Sequence, residues 1–200
     1  MIRSRAVLIW SALVLAIAIP IAAAAASPLL AWRDPIYIAA GFAGIVGMAL
    51  MLIQPLLAGG YLPGLPMHRG RRIHRWLGCF MVSALVVHVA GLWMTSPPDV
   101  VDALLFVSPT PFSNWGVIAM WTVFGAALLA AVRHRFRQRL RWWRIGHTTL
   151  VTAAVSCSVV HAMLIEGTME LLSKAALCTA VLVATLKAVI DLRLWVGPKR

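Results

Sequence analysis

Acidic residues are scarce in this chain: six Asp and Glu stand against eighteen Lys and Arg, and charged side chains make up only 12% of 200 residues. A soluble domain carries about 25%. With 62% hydrophobic residues and a mean hydropathy of +0.88, the shortage of charge excludes an ordinary soluble domain. The net charge of +12 would suit a nucleic-acid binder, but the basic residues sit in short clusters between apolar runs. Polytopic membrane proteins distribute them in that way, so the expected surroundings are membrane lipid and not nucleic acid. Cysteine is scarce too. Cys79, Cys157 and Cys178 stand alone in apolar segments, and no CxxC or CxxCH occurs. Neither a zinc site nor covalent c-type haem attachment is indicated, and the three read as small buried residues. There is no GxGxxG after a strand and no P-loop, so no flavin or nucleotide site is expected on these residues.

What the chain has in abundance is apolar length. A bilayer crossing needs about 20 apolar residues, and six runs meet that: approximately 6–27, 36–58, 74–95, 115–132, 146–165 and 171–192. The expected architecture is all-α, a six-helix polytopic membrane protein forming one transmembrane domain over residues 1–200. The first run is ambiguous. Arg3 and Arg5 before it, and Ala22 to Ala26 before Ser27, also fit a cleavable signal peptide. It is long for that, so a retained helix is expected. Gly59, Gly60, Pro63, Gly64 and Pro66 break the chain after the second run. In the long segment 96–114, Pro97-Pro98-Asp99 marks the start of a short interfacial helix carrying Val100, Val101, Leu104, Leu105 and Phe106. The short loop 166–170 makes the fifth and sixth runs antiparallel neighbours.

Orientation follows from the basic residues. Arg3 and Arg5, the group Arg69, Arg71, Arg72 and Arg75, the group Arg133 to Arg144, and the tail Arg193, Lys199 and Arg200 all fall on one side. The other side holds Arg33 and Lys174 with Asp34, Asp99, Asp102, Glu166 and Glu170. The expected location is the inner or plasma membrane with both termini cytoplasmic. Lys187 and Asp191, four apart, can pair or snorkel and carry no assigned function. The segment RHRFRQRLRWWR (133–144) reads either as a docking surface for an acidic partner or for phosphates, or as the positive-inside rule meeting anionic lipid. Trp142 and Trp143 read as interfacial anchors rather than electron relays. The acids of the outer side could attract a cation such as ferric iron, or simply form its solvated face.

Four histidines carry the chemistry. His74 and His88 are fourteen residues apart, and so are His147 and His161. On an α-helix that is ~21 Å of rise and about 40° short of four turns, so both members of each pair share a face. An ionisable residue deep in an apolar span is costly and is read as functional. The third and fifth spans both run outward from the cytoplasm, so His74 is level with His147 and His88 with His161. Two imidazoles can bind haem iron axially, giving a six-coordinate b-type haem. The expectation is two non-covalent b haems, stacked between the third and fifth helices. Gly78, Met81 and Ala84, with Val151, Ala154 and Ser158, lie on the histidine faces. Small residues there admit a porphyrin or equally a packed helix. Other readings stay open. A histidine at a helix end beside arginines is ordinarily solvated, which covers His74 and His147 but not His88 and His161. A haem-free metal-ion transporter would call for midplane carboxylates or broken helices, which the third and fifth spans lack, and a haem-free assembly or scaffold subunit is a further alternative. His68 and His134 read as loop residues, with His68 near enough to replace His74. Arg75 and Arg144 lie beside the inner ligands, where they can pair with haem propionates.

The stretch HRWLGCFMVSALVVH (74–88), followed by WWRIGHTTLVTAAVSCSVVH (142–161), resembles the ferric-reductase-like transmembrane domain, a superfamily of ferric reductases, NADPH oxidases and stand-alone haem-binding membrane subunits. The resemblance implies that His74, His88, His147 and His161 ligate two haems stacked across the membrane. It implies an oxidoreductase function, passing electrons to an outer-face acceptor such as ferric iron or a periplasmic redox enzyme. Many relatives continue into flavin and nicotinamide domains. No such motif is present in these residues, so the expected donor is a separate cytoplasmic flavoreductase or membrane quinol.

The arginine asymmetry places residues 59–73 and 133–145 in the cytoplasm and 96–114 outside. Of these three segments, only 96–114 should be labelled from outside in intact cells when single cysteines in a cysteine-free background meet an impermeant maleimide. Labelling of Arg137→Cys from outside would reverse the orientation.

Overall fold

Proline and glycine punctuate the fold. In the computed structural model, which describes residues 2–136 and 138–191, seven α-helices are joined by loops and two 3-10 turns: α1 (Ile2–Ala25), α2 (Pro35–Gly59), α3 (Met67–Thr95), α4 (Pro97–Leu104), α5 (Pro111–Ala131), α6 (Leu140–Leu164) and α7 (Leu171–Asp191). α2, α4 and α5 begin on proline, whose missing N–H costs nothing at a first helical position. Asp34 caps α2 by accepting from the N–H groups of Ile36 at 2.7 Å and Tyr37 at 3.4 Å. Gly60 ends α2 in the left-handed region at φ 68, where a side chain would be strained. Glu170 caps α7 through the Ser173 and Leu172 N–H groups, at 2.9 and 2.8 Å, and these donors hold its carboxyl below the usual carboxylate range.

Six helices, all but α4, are long and apolar enough to cross a membrane. The short helix expected after Ser96 is α4, with Asp99 in its first turn. Four helix starts differ from the sequence reading by more than one residue, the first being α1, which begins at Ile2 rather than 6. α3 begins at Met67 rather than 74, α5 at Pro111 rather than 115, and α6 at Leu140 rather than 146. Arginine is a good helix former, so the clusters Arg69 to Arg75 and Arg141 to Arg144 are helical and not loop. His74 and His147 therefore sit about two turns inside continuous helices. Arg137, the tail Arg193, Lys199 and Arg200, and the side chain of Arg3 lie outside the described residues.

The helices pair as two antiparallel hairpins. α2 packs along α3, and α5 packs along α6. α7 lies against both α2 and α6, as the short 166–170 loop requires, and α1 covers α7 and α2. The core where they meet includes Leu52, Val123, Val155, Leu177 and Val181. Ala154 is part of that core, and a Cβ on Gly78 would meet Gln54 of α2 at 3.7 Å, so these two small residues serve helix packing. α3 and α6 make no extended contact with each other; each is held by its own hairpin partner. Cys157 and Cys178 are buried as expected, but Cys79 is exposed, because it lies on the part of α3 that no helix covers.

Polar ties close the ends. Lys174, only 6% exposed, donates Nζ to the Ile165 carbonyl at 2.7 Å and satisfies the end of α6. At the arginine-rich end, Lys187 and Asp191 do pair, at 2.8 Å. The Tyr61 hydroxyl donates to the same Asp191 carboxylate at 2.6 Å, and Lys187 lies 4.8 Å from the Tyr61 ring centroid, which ties the end of α2 to α7.

Burial first, then the hydrogen bond to Asp191 and its charge, push the Tyr61 hydroxyl up to about 12. A raised folded-state pKa contributes stability in full below the ordinary value of about 10, and that contribution is lost as pH climbs from there toward 12. In a Tyr37→Phe background, phenolate absorbance should therefore rise near pH 12. In Asp191→Asn it should rise earlier, yet still above 10, because burial is the larger cause. An unchanged titration in Asp191→Asn would contradict this.

Candidate functional site

The two hairpins hold their histidines in one manner. His88 Nδ1 donates to the Ala40 carbonyl of α2 at 2.7 Å, and His74 Nδ1 donates to the Gln54 carbonyl at 3.2 Å. On the other hairpin, His161 Nδ1 donates to the Phe112 carbonyl of α5 at 2.8 Å. The acceptors repeat the spacing of the donors: Ala40 and Gln54 are fourteen apart, as are Phe112 and Ala126. Antiparallel helices of equal rise require this, since fourteen residues up one strand of a hairpin match fourteen down the other. Ala126 is the carbonyl facing His147 and acts on its ring as the other carbonyls act on theirs, but its alignment falls short of a well-formed hydrogen bond, so the buried His147 Nδ1 is the least firmly held of the four.

These bonds decide the chemistry of the rings. A carbonyl only accepts, so Nδ1 must carry the proton, and the imidazole is neutral with its lone pair on Nε2. Metal-bound histidines are oriented in this manner by an outer partner. All four rings are half-buried, so Nε2 is not sealed by protein. His147 lies within electrostatic reach of His74, and His161 of His88. Among the described residues no cluster of three or more His, Cys, Asp or Glu occurs. A two-donor set of neutral imidazoles suits axial ligation of a flat haem, which brings four donors of its own, better than it suits a bare ion.

Glycine leaves room beside His88 and His161. A Cβ on Gly44 would lie 3.1 Å from His88 Nδ1, and one on Gly116 would lie 2.7 Å from the His161 ring. Each glycine is one helical turn past a carbonyl anchor, Ala40 or Phe112. Phe112 also meets His161 edge-on, with ring centroids 5.9 Å apart. Gln54 gives its carbonyl to His74, while its own side-chain amide, 8% exposed, has no hydrogen-bond partner.

The remaining candidates fall at the arginine-rich end. Arg75 and Arg144 are exposed there, one and three residues from His74 and His147. His134 is exposed in the turn Arg133–Phe136. His68 is in the first turn of α3, not in a loop; six residues from His74, it points about 240° around the helix and does not share its face. Trp142 is 69% exposed, as an anchor would be. Trp143 is not such an anchor: its indole stacks on His147 with ring centroids 5.2 Å apart and 7° between planes.

The family described as ferric reductase like transmembrane component matches residues 40–158, more than half of the chain. The protein belongs to this family. The match opens at Ala40, the carbonyl that anchors His88, and takes in His74, His88 and His147. It ends three residues before His161, which joins the other three by its geometry. No curated protein and no solved structure matches the chain. Membership of the ferric-reductase-like family makes this an integral membrane component of oxidoreductase type.

The glycines rank themselves for substitution. Alanine gains about 1 kcal/mol over glycine inside a helix, and nothing lies within 4 Å of a Cβ at Gly47, so Gly47→Ala should stabilise. Gly44→Ala should be near neutral, its gain offset by the imidazole at 3.1 Å. Gly116→Ala, meeting a ring at 2.7 Å, should destabilise by about 1–3 kcal/mol. Denaturant unfolding in detergent micelles measures the order; equal stability of the Gly47 and Gly116 variants would contradict it.

Proposed function

We propose that this ferric-reductase-like protein carries electrons across the membrane through two non-covalent b haems, one held by His74 and His147 and one by His88 and His161. The observation that supports this most directly is the carbonyl anchoring of the imidazoles. Three Nδ1–H groups are committed to the backbone of α2 and α5, at two levels fourteen residues apart, which leaves Nε2 for iron. Bound haem would supply the one-electron ferric–ferrous couple that no side chain here provides.

The chain's own residues supply the rest. The carbonyls keep each imidazole neutral and aimed. Gly44 and Gly116 leave room for the outer rings. The apolar spans exclude water, and α2 and α5 hold α3 and α6 from behind, so that the faces between them are free for flat groups. Arg75 and Arg144, at the inner level, are placed to pair with propionates. By the arginine distribution that level is cytoplasmic, as are both termini. The donor in this reading is a separate flavoreductase or membrane quinol, drawn to the basic segment 133–144, and the acceptor is ferric iron or a redox enzyme at the outer face.

Purified protein should contain about two haems per chain, extractable by acidic organic solvent. His88→Ala and His161→Ala should lose the same haem, His74→Ala and His147→Ala the other, and a same-level double variant should be little worse than either single. Pyridine haemochrome assay and redox titration measure this. Absence of haem after expression with ample haem would overturn the proposal. A phenotype shared by His74→Ala and His88→Ala, distinct from that of His147→Ala and His161→Ala, would overturn the pairing by level.

A further inference from the structure

His147 is the exception among the four imidazoles. The other three are oriented by a hydrogen bond to a carbonyl of the neighbouring helix. The Nδ1 of His147 faces the Ala126 carbonyl but makes no well-aligned bond to it. Its ring instead lies nearly parallel to the Trp143 indole, 5.2 Å away and one helical turn along α6. The indole is itself fixed twice. Its Nε1–H donates to the Leu129 carbonyl of α5 at 2.8 Å, and the Arg133 guanidinium carbon lies over its face at 5.0 Å. Arg133 opens the 3-10 turn Arg133–Phe136, which begins the basic segment between α5 and α6. Trp142, the adjacent residue of the same type, is exposed and has none of these contacts.

We propose that Trp143, held by Leu129 and Arg133, is the positioning residue for His147, and that it sets the plane of this imidazole where a carbonyl sets the other three. Rotation of the ring about its Cβ–Cγ bond breaks the overlap with the indole, so stacking restrains the same angle that a hydrogen bond restrains elsewhere. The two devices differ in one respect. A carbonyl acceptor makes an imidazole a stronger electron donor to a metal; a stacked indole does not. The orientation of His147 thus depends on an arginine of the basic segment. An acidic partner that draws Arg133 away loosens the stack and changes the inner level alone.

This rests on the two-haem reading. The test is low-temperature electron paramagnetic resonance of the ferric protein, whose largest g value reports the angle between axial imidazole planes, with a redox titration beside it. Trp143→Leu should shift and broaden the inner signal, move the inner potential and leave the outer signal unchanged. Trp143→Phe should restore most of the native signal, Arg133→Gln should move the inner signal partway, and Trp142→Leu should match the native protein. Two haems with a native inner signal in Trp143→Leu would overturn the positioning role, as would an equal change in both signals. If Trp143→Leu does not accumulate, a native inner signal in Arg133→Gln overturns the role of the stack. A native protein without haem would instead fail the two-haem reading and take this proposal with it.

Discussion

An imidazole inside a hydrocarbon layer needs a partner for its N–H, and for His74, His88 and His161 the partner is a backbone carbonyl that already belongs to a helix. The geometry of the site follows from that bond. To offer a carbonyl to His74 and His88, α2 must lie along α3 for its full length; to do the same for His161, α5 must lie along α6. Each hairpin therefore places its histidines on a rigid two-helix element, not on a single span. Because the anchoring helices approach from behind, α3 and α6 need not touch each other, and they do not pack directly.

The two hairpins are equivalent in a way that residue identity hides. Ala40 and Gln54 stand to His88 and His74 as Phe112 and Ala126 stand to His161 and His147. The anchors of His88 and His161 also share a glycine four residues on, Gly44 and Gly116. Only the histidine spacing was legible in the sequence, because every residue has a carbonyl and an acceptor leaves no mark on residue type. The glycines were legible as glycines, but nothing in their local pattern separated Gly44, beside an imidazole, from Gly47, beside nothing.

The spans were legible because bilayer thickness sets a length that hydropathy can measure, and the short helix after Ser96 was legible from its prolines and Asp99. The helix starts were not. An apolar window stops at the first arginines, while the helices of α3 and α6 continue through them to Met67 and Leu140. That difference bears on function, since it moves His74 and His147 from helix ends into helix interiors and places His68 on the wrong side of α3. Composition likewise gave Trp142 and Trp143 one shared role. The structure divides them, since only the second lies one turn before a histidine and can stack on it.

The division matters because the two levels of the site are held by different forces. The imidazoles of His88 and His161 are both bound to carbonyls and backed by glycine, so their planes are set by helix backbones that do not move independently. At the arginine-rich level one imidazole is bound to a carbonyl and the other rests on an indole whose own neighbours include a solvent-facing arginine. A side-chain stack gives way more easily than a hydrogen bond within a packed hairpin. On the two-haem reading, the fixed level is the one that must release an electron to whatever reaches the outer face, and the adjustable level faces the segment where a donor would dock. Adjustability is useful only there, because that is the one junction at which the transfer partner arrives and leaves on the side that carries the basic charge.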